Sequence, residues 1–120
     1  MSFSATIRHV DEVTVVELSG QLTSFASGAL RNAVTDLIAQ RRKQIILNVT
    51  ALEYLDSSGV GEVVRCYMSV IKQGGEMKVV GLTPKVEEIL RITQLYQVFQ
   101  EFADEQSALQ SFPEARKKTA

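Results

Sequence analysis

The run Ile45-Ile46-Leu47-Asn48-Val49 constrains the fold of this chain more than any other stretch. It is too short for an ordinary helix, and its near-continuous apolar character is what a strand needs when both of its faces are covered. It therefore predicts the middle of a sheet with packed layers on either side. The chain has 120 residues, enough for one domain and too few for a second core.

The segments around this strand alternate in period. Val13 to Leu18 is rich in β-branched residues and ends at Ser19-Gly20, which predicts a strand entering a turn. A preceding strand from Phe3 to His9 pairs with it through an Asp11-Glu12 turn. Ala26, Leu30, Ala33, Val34, Leu37 and Ile38 recur at helical spacing, with Ser24 or Ser27 as cap and the cations Arg41-Arg42-Lys43 at the C-terminal end. After the central strand, a loop holding Leu52, Tyr54 and Leu55 is expected, with Tyr54 and Leu55 plugging the core beneath it. Val60, Val63, Val64, Tyr67, Met68 and Ile71 then mark a strongly amphipathic helix, ended by Gly74-Gly75.

Met77 to Val80 predicts a further strand closed by Gly81. Thr83-Pro84 opens a helix with Thr as cap and Pro in its first position, burying Val86, Ile89 and Leu90. A last strand spans Leu95 to Phe102, centred on Val98 and Phe99, and Asp104 caps a short helix with Ala108 and Leu109. Pro113 stops it. The expected domain is 1–112, with a flexible tail over 113–120. The expected fold is α/β: one domain with a mixed, mostly parallel sheet, an N-terminal antiparallel hairpin and about four helices.

Composition narrows the chemistry. Thirteen Lys and Arg against fourteen Asp and Glu give a net charge of -1, so the basic excess that phosphate backbones demand is missing, and nucleic acid is not an expected partner. The single Cys66 fits a reducing compartment, and the cytoplasm is the expected location. No apolar stretch approaches the roughly 20 residues that span a bilayer, so no membrane insertion is expected. One His and one Cys, His9 and Cys66, do not make a zinc site, and no cofactor is called for. His9 reads as a hairpin residue, since no second His or nucleophile pair accompanies it, and no enzymatic activity is expected.

The informative segment is Asp56-Ser57-Ser58-Gly59-Val60-Gly61, which places two glycines at the mouth of a well-formed helix. A helix-interior Gly costs about 0.5 to 1 kcal/mol relative to Ala. A purely structural explanation is a capped helix start, with Asp56, Ser57 or Ser58 accepting from backbone N–H groups. A functional one uses the same geometry, because open α/β sheets place their sites at helix N-termini that follow strands. Phosphorylation there adds roughly -1.5 to -2 charges and three acceptor oxygens, and changes a recognition surface without moving the core.

Leu55-Asp56-Ser57-Ser58-Gly59-Val60-Gly61 after Ile45 to Val49, with Gly74-Gly75 and Met77-Lys78-Val79-Val80-Gly81 downstream, resembles a STAS domain of the anti-sigma factor antagonist class, over about Phe3 to Phe112. That resemblance implies a partner-switching protein. Its unphosphorylated form binds an anti-sigma factor that is also a serine kinase, phosphorylation of the box serine ends the binding, and a serine phosphatase restores it. By position the phosphoacceptor is Ser57, flanked by Asp56, Ser58 and Gly59 as partner-binding or capping residues. Many antagonists of this class carry an acidic residue in a Gly-x-Leu-Asp pattern near the phosphorylation site. Here Gly20-Gln21-Leu22-Thr23 places Thr23 there instead, a departure that bears on phosphorylation efficiency and on kinase identity. The resemblance leaves one alternative function, a STAS subunit of a membrane-associated transport complex without a phosphoswitch.

The amphipathic stripe also sets an expectation for Cys66. At 100° per residue Cys66 lies about 130° from the stripe's centre, beside Glu62, Arg65 and Ser69. That face is expected to be exposed, and Glu62, Arg65 and Cys66 to join the partner-binding surface.

Overall fold

The computed structural model describes residues 2–26, 28–93 and 99–112. Strands β1 (Phe3–Val10) and β2 (Val13–Leu22) form the N-terminal hairpin, turning at Asp11, whose φ is 53°. Then follow α1 (Ala29–Ala39), β3 (Gln44–Leu55), α2 (Ser57–Lys72), β4 (Glu76–Val80), α3 (Pro84–Ile92), β5 (Gln100–Phe102) and α4 (Glu105–Gln110). The sheet runs β1-β2-β3-β4-β5, antiparallel between β1 and β2 and parallel elsewhere. β3 is its middle strand, as the apolar run requires.

Alternate residues of β3 explain that run. Ile45, Leu47 and Val49 face a core shared with Leu30, Val34 and Leu37 of α1, Val60, Val63 and Val70 of α2, and Val86 and Leu90 of α3. Ile46 faces the opposite side, packed with Val13, Val15 and Val80 under Ala108 of α4 and Phe112. Buried Lys78 on β4 anchors this second layer: its Nζ donates to Ser111 Oγ at 2.5 Å and sits 4.3 Å from the centre of the Phe112 ring. A cation held over an aromatic face in a desolvated setting is stabilising.

Two local expectations are met by local chemistry. Thr83 caps α3 through Val86 N, with Pro84 at the helix start, and Asp104 caps α4 through Ser107 N at 2.8 Å. The helix begun at Ala29 is different: Gly28 occupies its cap position at φ 88° with no side-chain cap of its own, and Ser24 lies in a separate 3-10 turn, Ser24–Ala26. Ser27, Leu95 to Val98 and the tail from Pro113 lie outside the described residues.

The loop expected after the central strand is instead the second half of β3. Leu52 and Leu55 are buried there, while Tyr54 lies outward with Lys85 Nζ 5.5 Å from its ring centre, so of Tyr54 and Leu55 only Leu55 plugs the core. Register shifts between Glu17 and Ser19 and between Gly20 and Gln21 let β3 carry extra residues against β2. Such bulges break the period of two by which a strand is recognised.

The α2 expectation is corrected in phase. Its buried residues are Gly59, Val60, Glu62, Val63, Cys66 and Val70, while Met68 and Ile71 are 62% and 44% exposed. Cys66 is 1% exposed and Glu62 5% exposed, so neither lies on the surface expected for them. The helix is turned by about a quarter-turn from the apolar stripe. The cause is α1, which packs alongside α2 and covers the flank carrying Glu62 and Cys66 as well as leaving the sheet side buried.

Candidate functional site at the start of α2

The site begins with the polypeptide leaving β3. Asp56 has extended backbone (φ -97°, ψ -172°), and its Oδ1 accepts from Gly59 N at 2.9 Å, which makes it the N-cap of α2. That capping is the structural role open to Asp56, Ser57 or Ser58 in the sequence, and Asp56 fills it. Ser57 and Ser58 are then the first two helical residues, both exposed, and neither hydroxyl bonds to another described residue.

Gly59 is fixed by a close approach. A Cβ built on it would lie 2.1 Å from the carbonyl oxygen of Leu22 and 3.1 Å from Leu55 Cβ, so only glycine lets the first turn of α2 press against the end of β2. The approach brings the Gly20-Gln21-Leu22-Thr23 segment to the box. Asp56 N donates to Leu22 O at 3.3 Å, and Ser24 N donates to Asp56 Oδ2 at 3.4 Å. Half-buried Thr23 turns its Oγ1 to accept from Phe25 N at 3.3 Å.

A second carboxylate ties the same loop to α2. Glu62, buried, accepts from the backbone N–H groups of Gly28 (2.8 Å), Leu30 (2.9 Å) and Arg31 (3.2 Å), and so caps α1 from a neighbouring helix. An acid at a helix N-terminus is favoured by the helix dipole and by three unsatisfied donors. One turn further, burial pushes the Cys66 thiol up to about 12, with the Glu62 carboxylate adding in the same direction. Such a thiol is a small apolar core group and a poor nucleophile.

The structure thus brings Thr23, Asp56, Ser57, Ser58 and Gly59 together. Arg65 is exposed two turns along α2, and Glu62 and Cys66 stand inside the fold. Two further residues belong to this end of the molecule, Phe25, which was not singled out from sequence, and Gly61, which was noted there only as the second glycine of the box. Phe25 is 86% exposed on the 3-10 turn, and Gly61 lies on the outward flank of α2. Phe25 falls off the helical period of Ala26, Leu30, Ala33 and Leu37, which is the signal that could have marked it. Among the described residues no group of three His, Cys, Asp or Glu could hold a metal, and no helix is long and apolar enough to cross a membrane. The arrangement presents a hydroxyl on a pre-organised surface.

A model of the STAS domain matches residues 4–108. The chain belongs to the STAS domain family. Among similar proteins, an anti-sigma F factor antagonist of Paenibacillus polymyxa is 30% identical over 110 residues, covering 91% of this chain and 94% of the relative. Of the solved structures, a putative anti-sigma factor antagonist from Thermotoga maritima superposes with a TM-score of 0.83 at 23% identity, over 93% of this chain and 94% of the other. SpoIIAA in its unphosphorylated form gives 0.78 at 24% identity, over 98% of both chains. These structures share the STAS fold described above, including its hairpin-led mixed sheet.

Proposed function

We propose that this STAS protein is an anti-sigma factor antagonist of the cytoplasm that switches partners through phosphorylation of Ser57. Unphosphorylated, it binds an anti-sigma factor that is also a serine kinase. Phosphate on Ser57 ends that complex, and a serine phosphatase restores it. The anti-sigma antagonist relative at 30% identity supports the regulatory class.

The observation that carries the site assignment is the setting of Ser57: exposed, in the first turn of α2, its hydroxyl unshared, next to a carboxylate already engaged by Gly59 N and Ser24 N. A phosphate there gains from the N-terminal end of the helix dipole and displaces no buried contact. The folded core stays as it is, and the change is confined to what a partner meets. Ser58 shares the exposure, so the test must separate the two.

Incubating each purified variant with an anti-sigma serine kinase of the same genome and ATP, followed by intact-mass measurement, does so. Wild type and Ser58→Ala each gain one phosphate, and Ser57→Ala gains none and binds the kinase constitutively. A Ser57→Ala protein that still gains one phosphate, while Ser58→Ala does not, overturns the assignment.

A further inference from the structure

Two features beside Ser57 have no explanation among the described residues. Phe25 is, at 86%, the most exposed large hydrophobic among the described residues, yet the turn that carries it is not loose. Phe25 N is held by Thr23 Oγ1 and Ala26 N by Thr23 O, while the carboxylates of Asp56 and Glu62 grip the loop on either side, at Ser24 N and Gly28 N. An aromatic ring left in water on a clamped turn gives up side-chain rotamers but little backbone freedom when it is later covered. A recess of about 160 Å³ lies next to it, walled by Phe3, Gln21, Thr23 and Ala29.

The second feature is Gly61. Unlike Gly59, it faces nothing that excludes a side chain: an added Cβ would meet only the guanidinium of Arg65, at 3.5 Å or more, which is ordinary contact. It stands inside a helix, where glycine costs about 0.5 to 1 kcal/mol, and the packing of the chain does not repay that cost. It lies one turn beyond Ser57, on the same outward stripe. Only the tip of the exposed Arg65 side chain lies over that position, and a partner's backbone can take its place.

Resting on the reading of Ser57 as the switch, we infer that Phe25 is the apolar anchor by which the anti-sigma factor is recognised, with Gly61 the notch into which the partner's backbone closes. The part of the partner's surface that meets Phe25 is an uncharged pocket. The side chains immediately around the hydroxyl, Thr23, Ser24, Phe25 and Ser58, carry no charge, the Asp56 carboxylate is engaged within the fold, and the Arg65 guanidinium stands one turn further on, over Gly61. A cation facing position 23 would find no acid there. Phosphorylation therefore places a dianion into a contact that is apolar and desolvated, where burial of an unpaired charge is costly. That is how one modification ends binding without moving the backbone.

The test titrates purified wild type, Phe25→Ser, Gly61→Ala and the remote control Met68→Ser against the anti-sigma serine kinases of the same genome. Met68, also exposed, lies about 16 Å along α2 from Ser57. Phe25→Ser is expected to weaken binding about thirty-fold, the scale of an interface hot spot. Gly61→Ala is expected to weaken it about ten-fold while raising the melting temperature, two opposite signs that a merely structural glycine does not produce. Met68→Ser keeps wild-type affinity. Phe25→Ser binding within two-fold of wild type, or Met68→Ser losing as much, overturns the anchor. Sedimentation in which wild type dimerises and Phe25→Ser does not makes a second copy the occupant and also overturns it. If the wild type binds none of the kinases, the partner assignment itself has failed and the anchor falls with it. Ser57 phosphorylation by a kinase that binds Phe25→Ser undiminished leaves the switch standing and removes only the anchor.

Discussion

Glu62 of α2 caps α1: its carboxylate accepts from Gly28 N at 2.8 Å and from the next helical donors, so two helices share one terminus. The pairing fixes the spacing between the box at the start of α2 and the Thr23–Gly28 loop. Glu62→Ala leaves three buried or half-buried donors without an acceptor and should cost on the order of 3 kcal/mol. Glu62→Gln keeps one acceptor oxygen and should cost less than half of that. Urea unfolding measures both, and equal losses for the two would show that the carboxylate's second oxygen and charge contribute nothing.

Asp56 and Ser57 are neighbours with separable roles. Asp56→Ala removes the acceptor for Gly59 N and should destabilise by about 1 kcal/mol, whereas Ser57→Ala should change stability by less than about 0.5 kcal/mol. Thermal melts of the two proteins compare them directly. A Ser57→Ala loss as large as that of Asp56→Ala would mean that the serine hydroxyl is structurally engaged.

Cys66 should resist iodoacetamide at pH 8 until the chain is unfolded, because the thiol is buried and titrates only at about 12. The same shift sets a sign for stability. The unfolded thiol loses its proton from about pH 9 and the folded one does not, so the unfolded state is favoured as pH rises from 9 towards 12. Cys66→Ala should flatten that decline in urea titrations. A native thiol that reacts at the rate of the unfolded one would place it in solvent.

Acid should act through Glu105 at the start of α4. Burial pushes its carboxyl up, but hydrogen bonds from Arg8 and Asn48 and the charge of Arg8 together hold it below its ordinary 4.5. A carboxyl lowered on folding stabilises above pH 4.5, and that contribution is lost as the pH falls through the folded value. Arg8 is half exposed, so the contribution is small, about 1 kcal/mol or less. Glu105→Gln should be less stable than wild type at pH 7, and the difference should shrink as the pH is lowered below 4.5. A constant difference across that range would assign the loss to packing.

What the sequence disclosed follows the range of the forces involved. Thr83 with Pro84, Asp104 and the Asp56 box are caps set within four residues of chain, and each appears where its residues predict it. Ile45 to Val49 revealed a two-faced strand because coverage on both sides leaves its mark on every residue. Long-range partners were hidden. Glu62 and Cys66 looked like a solvent face because an acid beside a thiol and an arginine is normally wet, and only the arrival of the α1 terminus makes a buried acid favourable. The far half of β3 looked like a loop because its pairing skips residues of β3, which no local period records. At the site, the position of Ser57 was legible, whereas Phe25 emerged only when the loop was seen clamped from both sides.

The order of strands in space repeats their order in the chain. Each new strand joins the rim of those already paired, and no later segment has to be threaded between two earlier ones. Synthesis from the N-terminus can therefore lay down the hairpin, then α1 and β3, then α2 and β4, with every intermediate sheet exposing one unfinished border and never a gap. The serine box, at the junction of β3 and α2, is shaped as soon as that middle portion has emerged, while α4 closes the opposite face last.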